Sequence, residues 1–217
     1  MSADPLRFLH LTDLHLSDVT GTAAARSLEW VISLSKECRP DFVAVSGDMT
    51  TFGTAGSAQH LQRALDEIEV PVLFTPGNAE LRSGSLGPLE RLCTPERRMR
   101  VHGDLLVLLP DTSSGALPEH ERAWMEQAAQ AHPKACRQVL ITHYPTDRLA
   151  EACRVWLMRY VRDRNVELFV AGHTHRHCHR HHNGCLEVVS RGLDPDKAIG
   201  APPGVSLFER AAFGEWT

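Results

Sequence analysis

Carboxylate, amide and imidazole side chains follow five short apolar runs of this sequence. The runs predict β-strands at 6–12, 41–46, 70–75, 137–142 and 166–171. The polar residues directly after them are Asp13 and His15, Gly47-Asp48, Gly77-Asn78, His143, and Gly172-His173-Thr174-His175. Open α/β sheets bind their ligands beyond the carboxyl ends of the strands. Because polar residues follow five strands at the same end, the sequence predicts that these residues form a shared site.

The residue types at these positions are typical of metal ligands. Residues i and i+2 of an extended segment point to the same side, so Asp13 and His15 can bind one ion together, as can His173 and His175. Carboxylate, imidazole and amide ligands without thiolate favour Mn, Fe or Zn over a structural cysteine-type zinc site. Seven ligands are too many for one ion and suit two ions that share a bridge. Asp48, which follows a glycine, is the expected bridging carboxylate.

The elements between these motifs predict an α/β fold. Helical periodicity near 22–38, 57–68, 118–132 and 149–164 alternates with the strands, and further strands are expected at 105–110, 185–190 and 204–209. The chain after about residue 166 shows no helical pattern and is expected to be antiparallel. The sequence has no internal repeat and no low-complexity linker, which predicts a single domain over residues 1–217.

Composition narrows the class of protein. The 217 residues are 42% hydrophobic and 23% charged, with a formal charge of −4. The sequence lacks the strong positive charge that attracts nucleic acid. Bound metals would still permit a nucleotide or the end of a nucleic acid as substrate. The absence of an apolar run of about 18 residues and of an amino-terminal leader predicts a cytoplasmic protein without a membrane span. Six cysteines without a C-x-x-C pair argue against a disulfide framework, and the sequence does not indicate an oligomeric state.

The order D-x-H, G-D, G-N-x-E, a lone histidine and G-H-x-H resembles the calcineurin-like metallophosphoesterase family over about residues 8–176. The resemblance implies a four-layer α-β-β-α sandwich of two mixed β-sheets flanked by helices. It implies two divalent or mixed-valence ions of Mn, Fe or Zn, and phosphate-ester hydrolysis by a hydroxide that bridges them. The implied ligands are Asp13, His15 and His175 for one ion, Asn78, His143 and His173 for the other, and Asp48 for both.

The expected substrate is a small phosphorylated molecule. The segments between the motifs are short and leave little room for a large specificity cap. A phosphodiester, such as a cyclic nucleotide, is the first expectation and a phosphomonoester the second.

Ala79 departs from the family pattern. Most members have a histidine after Gly-Asn, which stabilises the transition state or protonates the leaving oxygen, and loss of a general acid typically costs about 10²–10⁴ in rate. Three explanations stay open: a natural variant, which the seven retained ligand residues favour; an engineered replacement of histidine; and a scaffold that binds metal or a partner without turnover. His177, two residues beyond His175, is the predicted replacement acid. Glu80 is predicted to support a metal ligand, and His10 to face away from the metals.

Overall fold

Side-chain caps set the starts of the first two helices. The computed structural model describes residues 5–83, 86–211 and 216–217. Helix α1 spans Ala23–Cys38, and the Thr22 side chain accepts a hydrogen bond from the backbone N–H of Ala25. Helix α2 spans Ala55–Asp66 and is capped in the same way by Thr54. Helices α3, Glu119–Ala131, and α4, Glu151–Asp163, instead have acidic residues in their first turns.

The strands form two mixed sheets. Their bounds are β1 Leu6–Leu11, β2 Phe42–Val45, β3 Val72–Phe74, β4 Met99–His102, β5 Leu105–Leu108, β6 Arg137–Ile141, β7 Val166–Ala171, β8 Cys178–His182, β9 Cys185–Val189 and β10 Ser206–Arg210. The first sheet has the order β10-β1-β2-β3, with β10 antiparallel to β1. The second has the order β4-β5-β6-β7-β9-β8, in which the parallel strands β5, β6, β7 and β9 lie between antiparallel edges.

Three apolar clusters show how the layers pack. One joins α1 and α2 to the first sheet, through residues such as Leu28, Leu61 and Val43. A second joins α3 and α4 to the other sheet. The third lies between the sheets and includes Phe8 and Val170. The predicted four-layer α-β-β-α sandwich is therefore confirmed. None of the described helices is long and apolar enough to cross a membrane.

Two features of the sheets differ from the sequence prediction. Strands β4 and β8 were not expected, and β9 runs parallel to β7 rather than antiparallel. The chain leaves β7, forms the edge strand β8, and turns back at Asn183-Gly184, where both residues have positive φ. The hairpin thereby places β9 between β8 and β7, which explains the parallel pairing.

A cluster of charges joins the two sheets. Arg210, on β10, is 1% exposed. Its Nη1 donates to Oδ1 of Asp104 at 2.9 Å, and its Nε lies 3.2 Å from Oε2 of Glu167 on β7. Arg137 also pairs with Glu167, at 2.7 Å. Since Arg210 comes from the first sheet and its partners from the second, the cluster fixes how the sheets lie on each other.

Replacing Arg210 with Met should lower the free energy of unfolding by about 1–3 kcal/mol, because two partly buried carboxylates lose a counter-charge. Urea denaturation measures the change. Arg162→Met is the matched control, because Arg162 and its partner Asp163 are both exposed, and it should leave the free energy of unfolding nearly unchanged. Equal effects of the two substitutions would contradict a role of Arg210 in holding the sheets together.

Candidate metal centre

Asp13, His15 and His175 form one compact group of candidate ligands. One ligand atom from each lies within 4.8 Å of the others. The Nε2 atoms of His15 and His175 are 3.4 Å apart, and Nε2 of His175 is 3.5 Å from Oδ1 of Asp13. Asp13 and His15 follow β1 of the first sheet, and His175 follows β7 of the second, so this group spans both sheets.

A second group contains Asp48, His143 and His173, with Asn78 beside it. Nε2 of His143 lies 3.1 Å from Oδ1 of Asn78 and 3.2 Å from Nδ1 of His173. Nδ1 of His143 lies 2.8 Å from the Ser46 carbonyl oxygen, which can only accept a hydrogen bond. The His143 proton therefore belongs on Nδ1, and the Nε2 lone pair faces the cluster.

Asp48 lies between the two groups. Its Oδ2 is 3.8 Å from Nε2 of His15, and its Oδ1 is 3.5 Å from Nε2 of His143. One carboxylate thus faces an imidazole of each group. A carboxylate in this position could serve both groups.

Five of the candidate ligands have left-handed backbone conformations. Their φ angles are 56° for Asp13, 54° for His15, 51° for Asp48, 69° for His173 and 56° for His175. Each such conformation costs a non-glycine residue on the order of 1–3 kcal/mol. The turns after β1, β2 and β7 therefore aim these side chains at one point at the expense of local stability.

Two motif glycines permit the close approach of neighbouring side chains. A Cβ atom at Gly77 would lie 2.3 Å from Oδ1 of Asp48, and one at Gly172 would lie 1.9 Å from Oγ1 of Thr12. Both distances are far below van der Waals contact. The glycines in G-N and G-H-x-H therefore make room for the ligand turns.

Glu80 supports the turn that carries Asp48. It is fully buried, and its carboxylate accepts hydrogen bonds from the backbone N–H groups of Asp48, Thr50 and Gly77 at 2.7–2.9 Å. The support predicted from the sequence is present, and it acts through the backbone of Asp48. Burial, with the charge of Asp48, raises the pKa of Glu80 to about 7.

Ala79 is also fully buried. Its backbone N–H donates to Oδ1 of Asp48 at 2.7 Å. The residue therefore keeps a backbone role in orienting the central carboxylate, while its methyl group offers no donor or acceptor.

The electrostatics of the two groups fit divalent cations. Burial lowers the pKa of His15 to about 3 and that of His173 to about 4, so both imidazoles are neutral at pH 7 and present lone pairs. Oδ1 of Asp13 is buried and has no hydrogen-bond partner within the described part of the chain. The lone pairs of His143 Nε2 and Asn78 Oδ1 face each other at 3.1 Å and repel unless a cation lies between them. Nitrogen and oxygen donors without thiolate suit Mn, Fe or Zn.

The structure brings together all seven residues predicted as ligands but not His177. His177 is exposed and lines a groove between β8 and β10 with His179, Val188 and Phe208, and no candidate ligand lines that groove. His10 also lies outside the cluster, as predicted, since its ring bonds to Ser46 and Ser190.

Sequence reasoning missed Tyr144. Its hydroxyl lies 3.2 Å from Oδ1 of Asn78. Its position directly after His143 was the available signal, but an aromatic residue beside a strand is usually read as packing.

The motif order also identifies the family. The family model described as calcineurin-like phosphoesterase matches residues 6–177. The chain therefore belongs to this family of metal-dependent phosphoester hydrolases.

Individual relatives are distant but cover most of the chain. A 3',5'-cyclic adenosine monophosphate phosphodiesterase of Vibrio vulnificus is 22% identical over 85% of this chain and 75% of its own length. A 3',5'-cyclic-nucleotide phosphodiesterase of Nostoc is 23% identical over 98% of this chain and 91% of its own. The crystal structure of a dimetal phosphatase from Danio rerio is 16% identical, with a TM-score of 0.71 over 97% of this chain and 94% of that one, and supports the fold.

Gly77→Ala should reduce the bound metal from two ions to one or none, because the added methyl group displaces Asp48. Metal analysis after reloading with Mn²⁺ and gel filtration checks this expectation. Gly204→Ala is the control, since a Cβ atom there meets nothing within 4 Å, and it should keep both ions. Two ions retained by Gly77→Ala would contradict the central position of Asp48.

Proposed function

We propose that this metal-dependent phosphoesterase is a phosphodiesterase that uses two metal ions. The observation that carries the proposal is the position of Asp48, whose two carboxylate oxygens each face an imidazole of a different ligand group. Asp13, His15 and His175 would hold one ion, Asn78, His143 and His173 would hold the other, and Asp48 would bridge them.

The donor set would hold two ions of Mn, Fe or Zn, in divalent or mixed-valence form. When bound, the two ions would neutralise phosphate oxygens and lower the pKa of a water that attacks phosphorus. The protein orients the ligands: the Ser46 carbonyl oxygen fixes the His143 tautomer, and Glu80 with the Ala79 N–H fixes Asp48. Because these groups are in place before substrate binds, little reorganisation is needed during the reaction.

Charges around the site favour an anionic substrate. Burial is the largest cause of the lowered pKa values of His15 and His173. The positive charges of Lys197 and Arg82 also lower the pKa of His15, and that of Arg148 also lowers the pKa of His173. Positive side chains therefore lie near both ligand groups. Phe52 is 56% exposed, and the Arg82 guanidinium lies 5.9 Å from its ring centre. A flat apolar group next to a phosphate, as in a nucleotide, matches this combination of charge and aromatic surface.

The names of two relatives favour a phosphodiester over a monoester, and the structure between β3 and β4 suits an open site. Both curated relatives reported above are named cyclic-nucleotide phosphodiesterases. The described residues between β3 and β4 contain short 3₁₀ turns, at Glu80–Ser83, Gly87–Leu92 and Pro95–Arg97, in place of a cap. We infer a small nucleotide diester as the substrate, and a phosphomonoester is the second candidate.

Ala79 supports a different class of function. Its buried methyl group cannot donate a proton, so a protein that binds two metals without turnover is the alternative. An engineered replacement of histidine would give the same silent protein.

Hydrolysis of bis(p-nitrophenyl) phosphate by protein that is stripped of metal and reloaded with Mn²⁺ tests the proposal. The leaving group is acidic and needs no proton donor, so turnover is expected despite Ala79. Asp48→Asn should reduce turnover by about 10³-fold or more, because a neutral amide is a poor bridge between cations. Asp163→Asn, at an exposed carboxylate, should leave turnover unchanged.

Other outcomes would identify the alternatives. Faster turnover of the monoester p-nitrophenyl phosphate than of the diester would favour a phosphatase. Two bound ions without turnover of either substrate would contradict the proposal and favour the silent scaffold. Activity gained by Ala79→His in that case would indicate a replaced histidine.

A further inference from the structure

Tyr144 presents a hydroxyl group at the second ligand group. The residue is half-buried, and its ring packs on that of His173 with centroids 4.0 Å apart and edge-on to His143 at 5.2 Å. Its hydroxyl lies 3.2 Å from Oδ1 of Asn78. An O–H donor thus lies within one hydrogen bond of an atom proposed to bind metal.

This distance is informative about where a substrate oxygen would lie. A phosphoryl oxygen at the ion that Asn78 would help to hold would lie close to Asn78, the residue that the Tyr144 hydroxyl contacts. The hydroxyl would then be in a position to donate to such an oxygen.

The loop that carries Tyr144 is held in place from both sides. The Tyr144 N–H donates to Oγ1 of Thr112, and the Tyr144 carbonyl accepts from Oγ1 of Thr142. Two residues further on, the backbone N–H and hydroxyl of Thr146 both donate to the buried Glu187 carboxylate, at 2.9 and 2.8 Å. The phenol is therefore oriented before any substrate arrives.

Neither the Ala79 side chain nor that of His177 provides a hydrogen-bond donor at the ligand cluster. Ala79 has a methyl group, and His177 lies in the groove away from the ligands. The Tyr144 hydroxyl, in contrast, lies 3.2 Å from Oδ1 of Asn78, and a phenol offers an O–H donor.

We propose that Tyr144 is a catalytic residue whose O–H donates a hydrogen bond to a phosphoryl oxygen of the substrate, in place of the side chain that Ala79 lacks. The role rests on the proposed function of the two-metal site. It requires no proton transfer from the phenol, because the hydrogen bond stabilises charge on the phosphoryl group in the transition state. It also explains how the site can dispense with a histidine at residue 79.

Tyr144→Phe removes the hydroxyl and keeps the ring that packs on His173. Metal analysis and calorimetric titration of the Mn²⁺-loaded protein with inorganic phosphate provide readouts besides turnover. We expect two ions in both proteins, a Kd for phosphate that rises about 3–10-fold, and a kcat for bis(p-nitrophenyl) phosphate that falls about 10–100-fold. The decrease in kcat exceeds the change in Kd because the hydrogen bond strengthens with developing charge.

Two variants serve as controls. Tyr160→Phe removes a phenol that bonds to Gln138 and the Met125 carbonyl in the helix-side core, and it should alter neither phosphate affinity nor kcat. His177→Ala should also leave both unchanged. A decrease of kcat in His177→Ala with wild-type behaviour of Tyr144→Phe would overturn the proposal in favour of His177.

The remaining outcomes separate this proposal from the proposed function. Unchanged phosphate affinity and kcat in Tyr144→Phe with both ions bound would overturn the role of Tyr144 alone. Loss of an ion in that variant would also overturn it, because the hydroxyl would then act by positioning Asn78. A wild-type protein that binds phosphate without turnover would refute the phosphodiesterase, and the phosphate affinities would still decide the role of Tyr144. A wild-type protein that binds no phosphate would overturn both.

Discussion

The mutual repulsion of lone pairs at the metal centre is the constraint on which the rest of the structure depends. Asp13, His15 and Asp48 are buried or nearly so, and their donor atoms lie 3–4 Å from those of other ligands. Hydrogen bonds such as that from the Ala79 N–H to Asp48 offset only part of this repulsion, and the left-handed backbone at five candidate ligands adds strain. The sandwich must therefore supply the stability that holds the cluster together. Glu80, which anchors three backbone N–H groups of the surrounding turns, is one local means of doing so.

The position of the cluster across both sheets links metal geometry to the packing between them. Asp13, His15, Asp48 and Asn78 follow strands of the first sheet, while His143, His173 and His175 follow strands of the second. Each ion would thus receive ligands from both sheets. The apolar layer around Phe8 and Val170, with the Arg210 charge cluster at its edge, sets the separation between the two sets. Because protein interiors are densely packed, a change in the separation of the sheets would also change the distances between the candidate ligands.

The sequence predicted which side chains come together, because their signal is local and repeated; that they bind metal stays a prediction. Each comes directly after an apolar strand, and parallel strands bring their carboxyl ends to one edge whatever the details of packing. The features that the sequence did not predict lack such a local signal. Strand β8 reads Cys-His-Arg-His-His and lacks the β-branched residues that mark strands, and its edge position explains why β9 joins β7 in parallel. His177 was expected near the metals by counting along a strand, but β8 begins only at Cys178. Tyr144 reaches Asn78 through a loop whose shape depends on Glu187, 43 positions later in the chain. The boundaries of a single domain at 1–217 and a cytoplasmic location stay predictions.

The left-handed ligand turns also have a consequence for how such a chain would change over time. If the chain no longer bound metal, most substitutions at Asp13 or His173 would relieve backbone strain and remove repulsion. Such substitutions would therefore stabilise the fold. A relic would be expected to drift quickly towards apolar and right-handed residues at these positions. The strained set of candidate ligands is therefore what a chain that still binds metal would be expected to keep.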